Sequence, residues 1–177
     1  VSIFKLRHLR RLNFGDNRIS DLPSLIGNLS DLVMLDLGHN ELTAIPDEIG
    51  DLSSLQYLYL TDNELINLPQ TLERLTSLQY LNISDNLISN VPEALGALAS
   101  LYELRVSHNR LENVEIEWSG MVELRELHLQ DNRLTTLPAS IGELPLLRKL
   151  FLQNNALNKL PASLGKLKVL TELNLRN

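Results

Sequence analysis

Asparagine recurs along this chain at a constant interval of 23 residues. The positions are Asn17, Asn40, Asn63, Asn86, Asn109, Asn132 and Asn155. Because the interval never changes, no linker fits between the copies, and residues 1–177 are predicted to form a single domain of repeated units. A repeat of this length is typical of an elongated stack in which each copy contacts only its neighbours.

Apolar residues recur in a fixed register before each asparagine. Leu55, Leu58 and Leu60 precede Asn63 in the pattern L-x-x-L-x-L-x-x-N. Two leucines separated by one residue lie on the same face of an extended chain. Each copy is therefore predicted to contribute one short strand, with its leucines pointing inward and the residues between them pointing outward.

The second half of each copy follows the pattern L-x-x-L-P-x-x-I-G-x-L, which is clearest between Leu134 and Leu144. Proline fixes its own φ and disfavours helix at the preceding residue. The chain must therefore leave the strand as an extended segment, and the I-G-x-L part then returns it as a short helical turn or irregular coil. One copy alone leaves both flat sides of this layer open, so neighbours must stack to bury the leucines.

This pattern resembles the leucine-rich repeat family over the whole chain. The resemblance implies an α/β solenoid: a curved array with a parallel sheet of short strands on its concave face and short helical or irregular segments on its convex face. It also implies that the asparagines form a ladder. Their amides lie at the bend after each strand, where they can donate to and accept from backbone groups that the bend leaves unpaired.

The two ends of the chain fall inside repeats. About seven full copies lie between a partial copy that includes Ile3 and Leu6 and another that includes Leu173 and Leu175. Neither partial copy has the polar capping unit that shields the last layer of a solenoid. We therefore expect the chain to be part of a longer protein.

Charge and composition disfavour several classes of function. The net charge of -6 arises from 22 acidic and 16 basic residues, and this is the wrong sign for binding a phosphate backbone. No apolar run approaches the roughly 20 residues that span a bilayer. Nucleic acid and membrane insertion are therefore not expected.

The chain contains no cysteine, which excludes disulfides, thiolate metal sites and cysteine nucleophiles. The first residues, Val1 to Lys5, also lack the pattern of a signal peptide. These features favour a cytoplasmic location without establishing it, and the localisation stays unknown.

The fifth copy departs from the pattern while keeping its length. Glu115 replaces the proline, Trp118 replaces the isoleucine and Ser119 replaces the glycine. One interpretation is a local repacking in which the larger indole fills the core. The other is a partner-binding site on the convex side.

Aromatic side chains concentrate at the outward positions of the predicted strands. The chain has one tryptophan, four tyrosines and three phenylalanines, and five of these residues fall at or beside outward strand positions. Tyrosine and arginine are enriched at the hot spots of protein interfaces, although aromatics also favour strands for their β propensity alone. The predicted partner-binding residues of the concave face are Tyr57, Tyr59, Tyr80, Tyr102, Arg105, Arg125, His128, Arg148, Lys149 and Phe151.

Four of these residues form a basic cluster toward the C-terminal half, comprising Arg105, Arg125, Arg148 and Lys149. The cluster can meet an acidic segment of a partner. Alternatively, Glu103, Glu126 and Asp131 neutralise it as a solvated charged face, where exposed pairs contribute little.

A column of histidines and aspartates directly precedes the asparagines, namely His39, Asp62, Asp85, His108 and Asp131. Such a row invites a metal or acid–base hypothesis. The structural interpretation is that these residues suit the turn after a strand because their side chains bond local backbone. An open sheet also lacks the water-excluding pocket that catalysis usually requires, so no catalytic residue, metal, cofactor or small-molecule substrate is predicted.

Together these features predict a protein–protein interaction module, a scaffold or recognition domain that binds a macromolecular partner through the concave face. The alternative is the substrate-recognition segment of a larger enzyme, such as a kinase, GTPase or ubiquitin ligase. The L-P-x-x-I-G-x-L form is similar to repeats in scaffolds of the Shoc and Scribble types, plant intracellular Ras-group proteins, Roco proteins and bacterial effectors. These proteins include both classes.

Overall fold

A computed structural model describes residues 3–176. Within them, eight parallel strands form one sheet in which spatial order follows chain order. The strands are β1 (Arg11–Asn13), β2 (Met34–Asp36), β3 (Tyr57–Tyr59), β4 (Tyr80–Asn82), β5 (Glu103–Arg105), β6 (Glu126–His128), β7 (Lys149–Phe151) and β8 (Glu172–Asn174). The predicted parallel sheet of short strands is confirmed.

The return side of each copy contains a short 3-10 turn. The turns are Ile3–Lys5, Ser24–Asn28, Asp47–Asp51, Gln70–Arg74, Glu93–Ala97, Trp118–Gly120, Ala139–Glu143 and Ala162–Lys166. Six of them begin directly after a proline in extended backbone, as expected for a residue with fixed φ. All helical segments of residues 3–176 are of the 3-10 type, and none of them is long and apolar enough to cross a membrane.

The sheet keeps a 23-residue register throughout. Leu35 pairs with Leu58, and Leu58 pairs with Leu81, so equivalent residues of successive copies stand side by side. All three leucines have no exposed surface, whereas the residues on either side of them are exposed or half-buried. The predicted alternation of inward leucines and outward residues is confirmed.

The core lies between the sheet and the return turns. Ile49 and Leu52 of one turn are as fully buried as Leu58 of the sheet, but Leu173 of β8 is 41% exposed. Burying a leucine side chain contributes about 1.5–3 kcal/mol. Each layer therefore obtains its full stabilisation only when neighbouring copies cover both of its flat sides.

The side chain of Asn86 bridges two copies. Its Oδ1 accepts a hydrogen bond from the Leu65 N–H at 3.0 Å, and its Nδ2 donates to the carbonyl of Leu60 at 2.9 Å. Nδ2 also donates within its own copy to the carbonyls of Ile83 and Ser84, at 3.2 and 3.0 Å. One amide thus satisfies backbone groups on both sides of the bend.

The same bridging pattern repeats at five further asparagines. They are Asn40, Asn63, Asn109, Asn132 and Asn155. Among residues 3–176, Asn17 makes only local bonds through its side chain, to the carbonyls of Phe14 and Gly15. The amides therefore tie each copy to the one before it.

Trp118 is fully buried in the fifth copy. The 3-10 turn there covers three residues, Trp118–Gly120, and the repeat without a proline begins this turn later than the others do. The interpretation of Trp118 as a core residue is confirmed. The alternative interpretation, a convex binding site that uses this indole, is wrong, because a buried side chain is not available to a partner.

Two glycines of the I-G-x-L segments allow a close approach between turns. A Cβ on Gly142 would collide with the carbonyl oxygen of Ser163 in the next copy, and one on Gly50 would collide with the carbonyl oxygen of Thr71. These glycines therefore serve the contact between copies, in addition to marking the turn.

Substituting Gly142→Ala is expected to lower the free energy of unfolding by about 1–3 kcal/mol, the usual range for overpacking. Gly165→Ala is the matched control, because a Cβ there would meet nothing within 4 Å. Urea denaturation of both variants checks the difference. Equal stability of the two variants would contradict the close-contact argument.

Substituting Asn86→Ala is expected to lower the free energy of unfolding by about 1–3 kcal/mol, because it leaves buried backbone groups without partners. Asn17→Ala should cost less, since Asn17 bonds only its own copy in the described part of the chain. Thermal and urea unfolding of the two variants provide the comparison. An unchanged stability of Asn86→Ala would remove the ladder as a stabilising feature.

Candidate partner-binding surface

The concave face is formed by the two outward residues of each strand together with the residue that precedes each strand. In β3, Leu58 is buried while Tyr57 is 37% exposed and Tyr59 is half-buried. Tyr102, which precedes β5, is 43% exposed. The tyrosines singled out from the sequence are therefore accessible on one face of the sheet.

The N-terminal half of this face is aromatic. The rings of Tyr59 and Tyr80 lie in adjacent strands with their centroids 5.0 Å apart and a tilt of 37°, a favourable separation for an aromatic pair. Burial raises the pKa of both hydroxyl groups. Both side chains therefore stay neutral at physiological pH and can donate hydrogen bonds.

A shallow depression extends this aromatic region toward the start of the sheet. Arg11, Val33 and Met34 line it together with Tyr57 and Tyr59. Arg11, Val33 and Met34 are not among the partner-binding residues predicted from the sequence. The repeat register could have identified these residues, because they occupy the same repeat positions as residues of the concave face. Met34, for example, pairs in register with Tyr57.

The C-terminal half of the face contains a stacked pair. The rings of His128 and Phe151 lie 4.6 Å apart at 25°. The Nε2 atom of His128 lies 3.8 Å from Glu103 and 3.6 Å from Glu126. Burial, with a contribution from the Arg105 charge, lowers the pKa of His128.

Two members of the basic cluster are neutralised within the sheet. The Nε atom of Arg105 donates to Oε1 of Glu103, and Nζ of Lys149 lies 2.9 Å from Oε1 of Glu126. Burial of Glu126 opposes its ionisation, but the contact with Lys149 prevails and lowers its pKa. The same contact raises the pKa of Lys149.

Within residues 3–176, the other two members, Arg125 and Arg148, have no carboxylate at such a short distance. Arg125 stacks over the Tyr102 ring at 5.0 Å, and its Nη2 atom lies 3.9 Å from the carboxylate of Glu123. Arg148 is exposed, and its side chain makes no hydrogen bond or ion pair within residues 3–176. The structure thus divides the cluster into two paired and two available cations.

Asp131 was expected to help neutralise this cluster, and that expectation is wrong. Its carboxylate instead lies 3.3 Å from Nε2 of His108 and accepts a hydrogen bond from Asn154 at 2.7 Å. Asp131 belongs to the turn after β6, whereas Arg125 precedes that strand. The strand separates the two side chains.

The column before the asparagines adopts a left-handed backbone. Its φ values lie between 52 and 57° at Asp16, His39, Asp62, Asp85, His108, Asp131 and Asn154. Aspartate, asparagine and histidine tolerate this region better than most residues do. The interpretation of these positions as turn residues is therefore supported by the backbone itself.

The physical reason for this residue choice differs from the expected one. The column side chains bond one another across copies, as in the contact of His39 Nδ1 with Asp62 at 2.7 Å. The local backbone bonds come from the strand instead, since Oδ1 of Asp36 accepts from the Gly38 N–H at 3.0 Å. The hydrogen bond to Asp62 raises the pKa of His39.

Only one group of three His or carboxylate side chains in residues 3–176 brings its ligand atoms within 4.8 Å of one another, and it consists of Glu103, Glu126 and His128. Arg105 and Lys149 already bond the two carboxylates. The two negative charges are therefore balanced by two positive charges, and the arrangement supplies no argument for an additional cation.

The two perturbed histidines are expected to titrate on opposite sides of their ordinary pKa of 6.5. Protonated His39 is favoured by folding, so its contribution to stability is present below pH 6.5 and is lost as the pH rises through its folded pKa. Neutral His128 is favoured by folding, so its contribution is present above pH 6.5 and is lost as the pH falls toward its folded pKa.

An NMR titration of the imidazole rings measures both values. Asp62→Asn should bring the His39 pKa back toward 6.5 and leave that of His128 unchanged. A His128 pKa above that of His39 would contradict the assigned environments.

Comparison with known proteins identifies the family to which this architecture belongs. A family pattern described as a leucine-rich repeat region matches residues 1–119, and one described as leucine rich repeat matches residues 122–177. No curated protein matches the chain.

Solved structures from bacteria and plants are similar to it. A leucine-rich repeat protein of Leptospira interrogans is 34% identical with a TM-score of 0.86, and the match covers 98% of this chain and 50% of that one. The ectodomain of the Arabidopsis thaliana receptor kinase GASSHO1/SCHENGEN3, in complex with Casparian strip integrity factor 2, is 30% identical with a TM-score of 0.82 over 94% of this chain and 21% of its own.

The plant peptide hormone receptor RGFR1, in complex with RGF2, is 27% identical with a TM-score of 0.78 over 98% of this chain and 32% of its own. The chain thus spans half or less of the length of these structures. Since family patterns match residues 1–119 and residues 122–177, the chain belongs to the leucine-rich repeat family.

Proposed function

We propose that this chain is a protein–protein interaction module that binds its partner through the concave face. The observation that supports this most is the aromatic region of Tyr57, Tyr59 and Tyr80, which shares one face of the sheet with the stacked pair of Tyr102 and Arg125. Tyrosine and arginine are the side chains that most often dominate protein interfaces. A rigid sheet also presents them without a large ordering cost on binding.

The similar structures support a protein or peptide as the partner class. Two of them contain a receptor in complex with a second molecule, Casparian strip integrity factor 2 in one case and RGF2 in the other. Casparian strip integrity factor 2 and RGF2 are partners of those two receptors and are not proposed as partners of this chain. For this chain, the net charge of -6 further disfavours nucleic acid.

A second candidate is the recognition segment of a longer enzyme. The match to the receptor kinase ectodomain covers only 21% of that chain, which shows that repeats like these occur within larger receptors. In either case the residues of the concave face bind rather than react, because the face is an open surface and chemistry usually needs a water-excluding site.

Replacing Tyr57→Ala together with Tyr80→Ala is expected to weaken partner binding by at least tenfold, because truncating an interface hot spot costs about 2 kcal/mol or more. The intact chain and the variant are immobilised at equal density, and captured proteins are quantified by mass spectrometry. Thermal unfolding confirms that the variant is folded.

Ile66→Ala is the matched control, because Ile66 is 52% exposed but lies outside the strands. Its capture profile should equal that of the intact chain. Equal recovery of partners by the tyrosine variant would show that binding uses another surface.

A further inference from the structure

Arg125 and Arg148 occupy equivalent positions in neighbouring copies, directly before β6 and β7. The Arg148 N–H donates to the carbonyl of Arg125 at 2.8 Å. Their backbones are therefore one strand spacing apart, about 4.8 Å for parallel strands. Two guanidinium groups thus originate side by side at one edge of the concave face.

Within residues 3–176, neither guanidinium has a carboxylate closer than 3.9 Å. Glu123 lies 3.9 Å from Arg125, and both side chains are partly exposed, at 52% and 36%, so the pair contributes little. The Nε atom of Arg125 is shielded from solvent and has no hydrogen-bond acceptor within residues 3–176, so only the outer part of the guanidinium is available to a partner.

The guanidinium of Arg125 is also held in place before any partner arrives. It stacks over the Tyr102 ring at 5.0 Å, a cation–π geometry that orients its plane. A planar guanidinium recognises a carboxylate through two parallel hydrogen bonds. Holding this group in advance reduces the entropy lost on binding.

The opposite edge of the face has the opposite charge. Asp62, Asp85 and Asp131 lie in the turns after the strands, and the extended segment from Arg125 to Leu129 alone advances about 13 Å along the sheet. That span exceeds the Debye length of about 8–10 Å at moderate ionic strength. The arginine pair can therefore attract an anion locally in spite of the negative net charge of the chain.

We propose that Arg125 and Arg148 form a carboxylate-binding site that receives an acidic segment, with at least two Asp or Glu residues, of the protein partner bound by the concave face. This inference rests on the proposed function and adds the chemistry of the partner to it. Arg105 and Lys149 do not belong to the site, because Glu103 and Glu126 already bond them. The acidic segment lies at the edge where the strands begin, away from the aspartates at the other edge.

The test uses the full chain and a fluorescein-labelled hexaglutamate peptide, followed by fluorescence anisotropy at about 50 and 150 mM salt, where the Debye length shortens. Saturable binding that weakens with salt is expected. Arg125→Gln with Arg148→Gln should reduce the affinity at least tenfold. Arg148→Gln alone should also reduce it, and this variant removes no side-chain hydrogen bond or ion pair seen in the described part of the chain.

Arg110→Gln with Arg133→Gln is the matched control. Both arginines are exposed and lie outside the strands, so the variant removes the same charge from another surface. It should bind hexaglutamate within twofold of the intact chain. A hexaglutamine peptide should not bind.

Three results would overturn the carboxylate site. The first is the absence of saturable hexaglutamate binding at about 50 mM salt, where screening is weak. The second is an equal loss of hexaglutamate affinity in both double variants, and the third is tighter binding of a hexathymidine oligonucleotide than of hexaglutamate. The last result would assign the pair to a nucleic-acid backbone. If hexaglutamate fails to bind while the Tyr57 and Tyr80 variant still loses its partners, the carboxylate site alone is wrong. If the tyrosine variant keeps its partners while the arginine pair binds hexaglutamate, the proposed docking on the tyrosine region is wrong instead.

Discussion

The bridging asparagine amide is the interaction on which the rest of the structure depends. The bend after each strand exposes backbone groups that cannot pair within their own copy. Asn63 resolves this by accepting from the Leu42 N–H and donating to the Leu37 carbonyl, both of which belong to the preceding copy. Because a buried backbone group without a partner is costly, each copy must sit at one fixed offset from its neighbour. The parallel register and the burial of the leucine layers follow from that offset.

The repeated parts of the fold could be predicted from the sequence because they depend on periodicity and local backbone chemistry. The L-x-L spacing predicted the strands, the Leu-Pro step predicted the extended exit, and Trp118 was correctly interpreted as core. The left-handed backbone at residues such as Asp62 was not predicted, although a column of Asp, Asn and His was a visible signal for it. The asparagine bonds occur where the bend argument expected unpaired backbone groups.

The surface could be predicted only in part, because its ion pairs depend on side-chain geometry. The sequence identified four basic residues and three candidate neutralising residues, but not their pairing. Glu103 and Glu126 pair with Arg105 and Lys149 because the strand register brings them into contact. Asp131 follows the strand and meets His108 instead. A basic residue with acidic residues nearby in the sequence can thus remain available to a partner in the folded protein, and Arg148 is the clearest case.

The constant strand register also fixes the spacing of contacts for any peptide that crosses the sheet. Equivalent outward side chains recur about every 4.8 Å, whereas an extended peptide advances about 3.3 Å per residue and falls out of step with them. A polyproline II segment repeats every three residues, about 9.3 Å, which is close to two strand spacings. A segment of that conformation laid across Tyr57, Glu103 and Lys149, which occupy equivalent positions on alternate strands, would present the same side of its helix to each of them.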